Sequence, residues 1–352
     1  MDLLLCKNCG LIINSAFDEN LMKYTAGYDN ALHFSPRFRE YAEELGARLV
    51  RDYDLKDKKI AEIGCGDGYF MDLMVRHGAA SGVGFDPSIK GMEDKTTEFT
   101  TSGKVQIITE YFRTDHLPHE FDAITCRHVL EHLPDPGAFL RDVRKTIGDK
   151  DCILYFEVPN AQWLLESHSI WDVIYEHITY WTAPAIRTLF LRAGFEPVSI
   201  TTGYNDQFLR IEARPGKGDP DAVPTSQEIE ALTKTSNEFT AAATGQVEKW
   251  ETRLKDLAAK GQKAVVWGAG AKGITFISVL DHIEESVAAL VDISYRKRGK
   301  YAPKLAVPVV HVDDMKEVNP ALVLIANEIY YDEIKQTLAD IGLTPEFDVI
   351  TG

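Results

Sequence analysis

Three stretches of this chain carry residue types at spacings that chemistry requires. The first is Glu62-Ile63-Gly64-Cys65-Gly66-Asp67-Gly68, which follows a short apolar run and leads into Tyr69 to Val75, where apolar positions recur at helical spacing. Glycines are needed where a strand turns sharply into a helix and backbone must approach a ligand, because a Cβ there would collide. Asp86 stands eighteen residues past Gly68 at the end of the next apolar run, where a carboxylate can hold both hydroxyls of a ribose. The spacing is E-x-G-x-G-x-G, without the pyrophosphate-facing third glycine of G-x-G-x-x-G, so it favours a thioether-linked nucleoside over a dinucleotide.

The second stretch is Tyr175-Glu176-His177-Ile178-Thr179-Tyr180, between Trp171-Asp172 and Trp181-Thr182. Histidine is the side chain best suited to accept a proton near neutral pH, and a neighbouring carboxylate can orient it or raise its basicity. His177 and Glu176 therefore read as a base and its partner, with loop and helix-cap roles as the alternative. The third is Trp267-Gly268-Ala269-Gly270-Ala271-Lys272-Gly273, again between a strand and a helix, which taken alone suggests a dinucleotide site.

Positioning these residues requires particular elements. Phe38, Tyr41, Leu45 and Leu49 form an apolar stripe behind Ser35-Pro36, which predicts a helix from there to about Asp52. Strands are expected at 59–63, 81–85, 104–108, 121–125 and 152–158, with helices in most of the gaps, then a helix over 181–193 and a strand over 195–200. This alternation is the sequence form of a parallel sheet with crossover helices. Pro215 to Pro224 is rich in Pro, Gly and Asp and reads as a linker, followed by a long amphipathic helix ending near Gly261. Further strands at 263–267, 288–291 and 321–325 begin a second αβ alternation. The first three dozen residues, with Cys6-Lys7-Asn8-Cys9-Gly10, read as separate. The expected domains are thus 1–34, 35–214, a linker and helix over 215–261, and 262–352.

With 38 basic and 54 acidic side chains the formal charge is -16, which disfavours extended contact with a phosphate backbone and so argues against nucleic acid. Five scattered cysteines suit a reducing compartment, and no apolar run approaches the length of a membrane span, so a cytoplasmic protein without a membrane partner is expected.

The glycine turn, Asp122-Ala123-Ile124 and His128-Val129-Leu130-Glu131-His132-Leu133-Pro134-Asp135-Pro136 together resemble class I S-adenosylmethionine-dependent methyltransferases. Over nearly the whole chain the resemblance extends to sugar C-methyltransferases that act on nucleotide-linked 4-keto-6-deoxy sugars. Such enzymes carry a cysteine-rich amino-terminal module and an E-H-x-x-Y segment, here Glu176 to Tyr180. Their Rossmann-like carboxyl-terminal domain corresponds here to Gly268 to Gly273, Val291-Asp292, Lys297 to Tyr301 and Asn327 to Ile334.

The resemblance implies an α/β protein: a Rossmann-like methyltransferase domain, a smaller Rossmann-like carboxyl-terminal domain and a short amino-terminal module. It implies S-adenosylmethionine on Glu62, Gly64, Gly66, Gly68, Tyr69 and Asp86, with Arg127 and His128 beside the methionine moiety and Glu110, Tyr111 or Phe112 near the adenine. It implies that His177 removes the proton at C3 of the sugar, assisted by Glu176, while Tyr175, Tyr180 or Tyr28 polarises the keto oxygen or shapes the pocket. Gln207, Gly268, Gly270, Lys272 and Asn327 would hold the nucleotide-sugar, with Lys272 on phosphate, in a monomer or homodimer.

Two departures bear on this transfer. Relatives commonly bind zinc through two C-x-x-C knuckles, but only Cys6 and Cys9 form one here, and a tetrahedral structural site needs four ligands, so no metal is assigned. Gly203-Tyr204-Asn205-Asp206-Gln207-Phe208 replaces a small Gly-Gly-Ser turn near the substrate, and Tyr175 stands directly before Glu176 where relatives read Y-H-E-H. O- or N-methylation of a small molecule, and a non-catalytic nucleotide-sugar binding module, remain the alternatives.

Overall fold

The computed structural model describes residues 1–21, 32–91, 96–113 and 121–351. Tyr28, one of the residues expected to shape the sugar pocket, lies outside them. The chain forms two compact units, Met1–Gln162 with Tyr175–Thr233, and Trp163–Ile174 with Lys234–Gly352.

The first unit begins with a hairpin of β1 (Leu3–Leu5) and β2 (Ile12–Asn14). After α1 (Pro36–Asp52) the α/β alternation runs β3 (Lys59–Ile63), α2 (Tyr69–Arg76), β4 (Ser81–Phe85), α3 (Thr97–Thr100), β5 (Val105–Ile108), β6 (Ala123–Arg127), α4 (Pro136–Ile147) and β7 (Ile153–Pro159). Then come α5 (Ala161–Glu166), β8 (Thr179–Tyr180), α6 (Ala183–Arg192), β9 (Phe195–Gly203) and β10 (Phe208–Pro215). Helix starts are written in local chemistry. The Ser35 hydroxyl accepts the Phe38 amide and Asp135 accepts that of Ala138, each with proline at the first helical position.

The seven-stranded sheet has the order β5-β4-β3-β6-β7-β10-β9. Its first five strands are parallel, whereas β10 runs antiparallel to both β7 and β9. Strand order reverses between β3 and β6, so a crevice opens at their carboxyl ends, where open α/β sheets bind ligands. Ile63, Phe85, Ile124, Phe156, Phe190 and Phe195 are among the buried side chains of this unit's core.

The second unit contains the carboxyl-terminal part of α7 (Ser226–Ala259), then β11 (Ala264–Trp267), α8 (Ala271–Val279), β12 (Val287–Val291), β13 (Val309–Val310), α9 (Met315–Val318), β14 (Leu322–Ile325), α10 (Tyr331–Asp340) and β15 (Glu346–Val349). Its sheet is wholly parallel in the order β13-β12-β11-β14-β15. Trp171, Trp250 and Phe276 pack edge to face in its core.

Three expectations change. The amino-terminal hairpin is not separate: β2 pairs with β8, so a three-stranded sheet β1-β2-β8 joins it to the first unit. Residues 215–224 are not a free linker, since Gly216 and Asp219 donate backbone hydrogen bonds to Gly194 and Leu191, and Arg192 reaches Ala222. The boundary falls instead within α7, and residues 163–174 leave the first unit for the second because Trp171 is needed in that core.

Candidate active site

The glycine turn has the geometry of a ligand cradle. Gly64, Gly66 and Gly68 all have positive φ, a backbone state that disfavours a side chain. A Cβ on Gly64 would lie 2.1 Å from Val129 Cγ2, whereas one on Gly66 would meet nothing within 4 Å. Gly64 is therefore required by packing, and Gly66 fronts open space. The Asp86 carboxylate accepts the Gly66 amide at 2.8 Å and the Ser88 amide and hydroxyl at 2.9 and 2.6 Å, which fixes it at the end of β4.

Behind the turn Arg127 donates Nε to Glu62 Oε1 at 3.1 Å and lies 3.9 Å over the Phe70 ring. Burial pushes the Glu62 carboxyl up to about 7 against the pull of Arg127. Its second oxygen is buried with no hydrogen-bond partner. A buried acceptor beside an open turn fits the ammonium of an amino-acid moiety, and Asp86 fits a ribose, so these residues suit S-adenosylmethionine. Tyr69 stacks on His33 at 4.6 Å, and His33 reaches Asp67 at 3.5 Å. Tyr111 is exposed, while Phe112 packs edge-on against Phe85 and Phe139.

A chain of buried acids and partly to fully buried imidazoles runs from the end of β6. His128, with φ of 55°, places Nε2 3.3 Å from Glu157 and Nδ1 3.7 Å from Glu131. Burial opposes charge on His128, but the two carboxylates beside it override that and raise its pKa to about 9. Glu157 is correspondingly held down at about 2, its own burial notwithstanding, by His128 and then Arg127. Tyr41 and Tyr155 both donate to its other oxygen.

Glu131, His132 and His177 bring a carboxylate oxygen and two imidazole nitrogens within 4.8 Å of one another. His132 Nδ1 pairs with the Glu176 carbonyl oxygen at 2.9 Å, which makes it the protonated nitrogen and turns Nε2 toward Glu131 at 4.0 Å. His177 is buried, its Nδ1 has no hydrogen-bond partner, and burial pulls its pKa down to about 3 despite Glu131. It is therefore a neutral imidazole at any pH near 7, its ring 5.8 Å from that of Tyr180.

The structure revises the roles of several residues. The carboxylate that acts on His177 is Glu131; Glu176 contributes its backbone carbonyl to His132. Tyr175 does not reach the base: its hydroxyl accepts the Asp18 amide at 3.0 Å and its ring stacks on Phe17. In the first unit Gln207 is buried in the turn where Tyr204, Asn205 and Asp206 all have positive φ, and Tyr204 stacks on Phe208, whose ring meets His128 at 4.5 Å.

In the second unit Gly268 to Gly273 repeats the cradle design. The Ala269 amide donates to Asp292 at 3.1 Å, a Cβ on Gly270 would meet nothing within 4 Å, and one on Gly273 would strike the Gly268 carbonyl at 1.9 Å. Lys272, expected on phosphate, pairs with Asp172 at 2.8 Å and lies over Trp163 at 5.1 Å. The Asn327 side chain caps the turn after β14 by accepting the Ile329 amide at 3.2 Å.

Sequence reasoning assigned no role to Glu157 and read Tyr41 only as part of an apolar stripe. The signal for Glu157 was a lone carboxylate inside the apolar run Ile153-Leu154-Tyr155-Phe156-Glu157-Val158, at the end of a strand beside the crevice.

Residues 34–200 match a family described as methyltransferase domain, and residues 225–344 match the C-methyltransferase C-terminal domain. The ubiquinone biosynthesis O-methyltransferase of Neisseria meningitidis serogroup C is 32% identical over 111 residues, 30% of this chain and 46% of that protein. The chain thus spans about half the length of that relative. The C-methyltransferase NovU of Streptomyces niveus is 22% identical over 297 residues, 77% of this chain and 69% of the other. Magnesium protoporphyrin IX methyltransferase from Synechocystis with bound SAH aligns with a TM-score of 0.40 and 19% identity, over 55% of this chain and 90% of that one.

Proposed function

Because the chain carries a methyltransferase domain of the class I, S-adenosylmethionine-dependent fold followed by a C-methyltransferase C-terminal domain, we propose that it methylates C3 of a nucleotide-linked 4-keto-6-deoxy sugar. The observation that carries this reading is His177, a buried and neutral imidazole beside an ionised Glu131. Carbon methylation needs such a base, because a C–H bond must be broken before the carbon becomes a nucleophile, and the adjacent C4 carbonyl makes that proton removable.

S-adenosylmethionine, when bound, supplies an electrophilic methyl group. Asp86 and the Gly66 turn hold its nucleoside, while Arg127 and the free oxygen of Glu62 face its amino-acid end. His177 takes the C3 proton of the acceptor, and the electron pair left behind is delocalised onto O4. Tyr180, buried with its ring 5.8 Å from that of His177, is the phenol assigned to polarise that oxygen. In the first unit Gln207 and the Tyr204 turn are the candidates for the sugar; in the second, Gly268, Gly270 and Asn327 are the candidates for a nucleotide, with Lys272 and Asp172 bracing that turn. Five free cysteines accord with a reducing, cytoplasmic setting. Among the described residues no helix is long and apolar enough to cross a membrane.

The name of the neisserial relative supports a second reading, methylation on oxygen, in which the same base would deprotonate a hydroxyl. The test is to incubate the protein with ¹³C-methyl S-adenosylmethionine and thymidine-, guanosine- and cytidine-diphosphate-linked 4-keto-6-deoxyhexoses. A methyl resonance in the C–CH₃ region supports the first reading, and one in the O–CH₃ region establishes the second. Absence of any labelled product with all three removes the sugar substrate.

A further inference from the structure

A buried histidine that stays neutral at physiological pH is always ready to accept a proton, but desolvation also makes it a weak base. The same burial that lowers its pKa to about 3 opposes the imidazolium that must form when the acceptor carbon gives up its proton. Something in the site has to stabilise that cation. The groups whose charge acts on His177 are Glu131, His132 and His128, and of these only Glu131 favours the protonated form. We infer that Glu131 is the positioning residue for the reaction, holding a fixed negative charge within 4.8 Å of His177 so that the imidazolium is stabilised as it forms.

The surrounding residues explain how a buried carboxylate keeps that charge. Burial alone would protonate Glu131, but His128, beside it at 3.7 Å, and then His132 hold it ionised. His128 is in turn kept cationic between Glu131 and Glu157. The row Glu157, His128, Glu131 therefore carries two negative charges and one positive. Arg127 also acts on Glu157, so His128 is shared between the two carboxylates, and Glu131 is the one whose charge favours protonated His177. Backbone contacts fix the distance. Ile178 donates its amide to the Glu131 carbonyl at 2.8 Å, and the Thr179 hydroxyl reaches the carbonyls of Leu130 and Glu131 at 3.3 and 3.4 Å. The short helical turn bearing Glu131 and the segment bearing His177 are thus tied on both sides of the pair. Among the described residues Tyr180 also packs against His177, and Tyr41 and Tyr155 face Glu157.

This inference rests on the proposed carbon methylation, and the test separates the two. Deuterium exchange at C3 of a thymidine-diphosphate-linked 4-keto-6-deoxyhexose is followed by NMR in D₂O with S-adenosylhomocysteine bound, which isolates proton removal from methyl transfer. Wild-type protein should exchange, Glu131→Gln should exchange at least about a hundredfold more slowly, and Glu131→Asp should recover to within about tenfold of wild type. S-adenosylhomocysteine affinity, measured on each variant, should be unchanged and shows that the fold survives. In protein labelled at histidine Cε1, the His128 resonance should titrate more than one pH unit lower in Glu131→Gln than in wild type, which a merely space-filling role for Glu131 would not produce. Exchange by Glu131→Gln at the wild-type rate overturns the inference and leaves the proposed reaction standing. Wild-type protein that neither exchanges nor methylates the sugar overturns the reaction, and the role of Glu131 in it falls as well.

Discussion

Asn14 donates its backbone amide to the carbonyl oxygen of Ile178 at 2.9 Å, so the amino-terminal hairpin is stitched to the segment that carries His177. Asn14 also reaches the Tyr175 carbonyl, Ile12 pairs with Tyr180, and the Tyr175 hydroxyl accepts the Asp18 amide. The segment 175–180 has only two residues of strand, and its other edge is held by Glu131 and Leu130. The hairpin is one of two walls that position the base.

Ile12, buried in that hairpin, should therefore matter to turnover and not to the cofactor. Ile12→Asp is expected to lower kcat by tenfold or more through displacement of residues 175–180, with S-adenosylhomocysteine affinity within about twofold of wild type. Isothermal calorimetry alongside initial rates makes the comparison, and a variant with normal kcat would show that the hairpin does not position the base.

His177→Ala should lose about 10²–10⁴-fold in turnover while still binding S-adenosylmethionine, because general bases contribute in this range. Single-turnover rates with ¹⁴C-methyl donor and equilibrium dialysis separate the two effects. Normal turnover would remove His177 from the chemistry.

The same residue makes the fold sensitive to acid. Its folded pKa of about 3 lies below the unfolded value of ~6.5, so it contributes stability that is present above pH ~6.5 and lost progressively as pH falls toward 3. Between pH 7 and 4.5 wild type should lose about 2–3 kcal/mol more than His177→Gln. Urea unfolding at both pH values measures the difference, and equal losses would place the imidazole in a solvated site.

Two glycines in one turn should respond differently to alanine. Gly64→Ala forces a Cβ onto Val129 at positive φ and should cost about 2–5 kcal/mol of stability. Gly66→Ala meets open space, so only the backbone preference of about 1–2 kcal/mol is lost, yet the methyl group would occupy the cradle and weaken S-adenosylhomocysteine binding by tenfold or more. Thermal unfolding with and without the ligand reads both quantities. Unchanged affinity in Gly66→Ala would place the cofactor elsewhere.

Much of this was legible in the sequence, for identifiable reasons. Strands such as Lys59–Ile63 and Ser81–Phe85 end where glycine and aspartate end their apolar runs, so local chemistry fixed their limits. β10 was missed although Leu209, Ile211 and Ala213 alternate with Arg210, Glu212 and Arg214: the charge at 212 is buried, matched by Arg48 at 2.6 Å and by Tyr53, both more than a hundred and fifty residues earlier, a long-range pairing that the local pattern does not carry. The carboxylate serving His177 was misplaced for a similar reason. Glu176 is adjacent in sequence, whereas Glu131 is brought near by the pairing of Ile178 with its carbonyl, a non-local hydrogen bond that adjacency does not encode. The glycine cradles were legible because their geometry is local.

Trp171 donates its indole N–H to the carbonyl of Ile350 at 2.7 Å, at the far end of the sequence, and it fills the core of the second unit from a segment that interrupts the first. During synthesis that core cannot close until Ile350 has left the ribosome, and a fragment begun after residue 215 would lack the Trp171 indole. A cut at the proline-rich stretch therefore separates residues 163–174 from the unit whose core they complete.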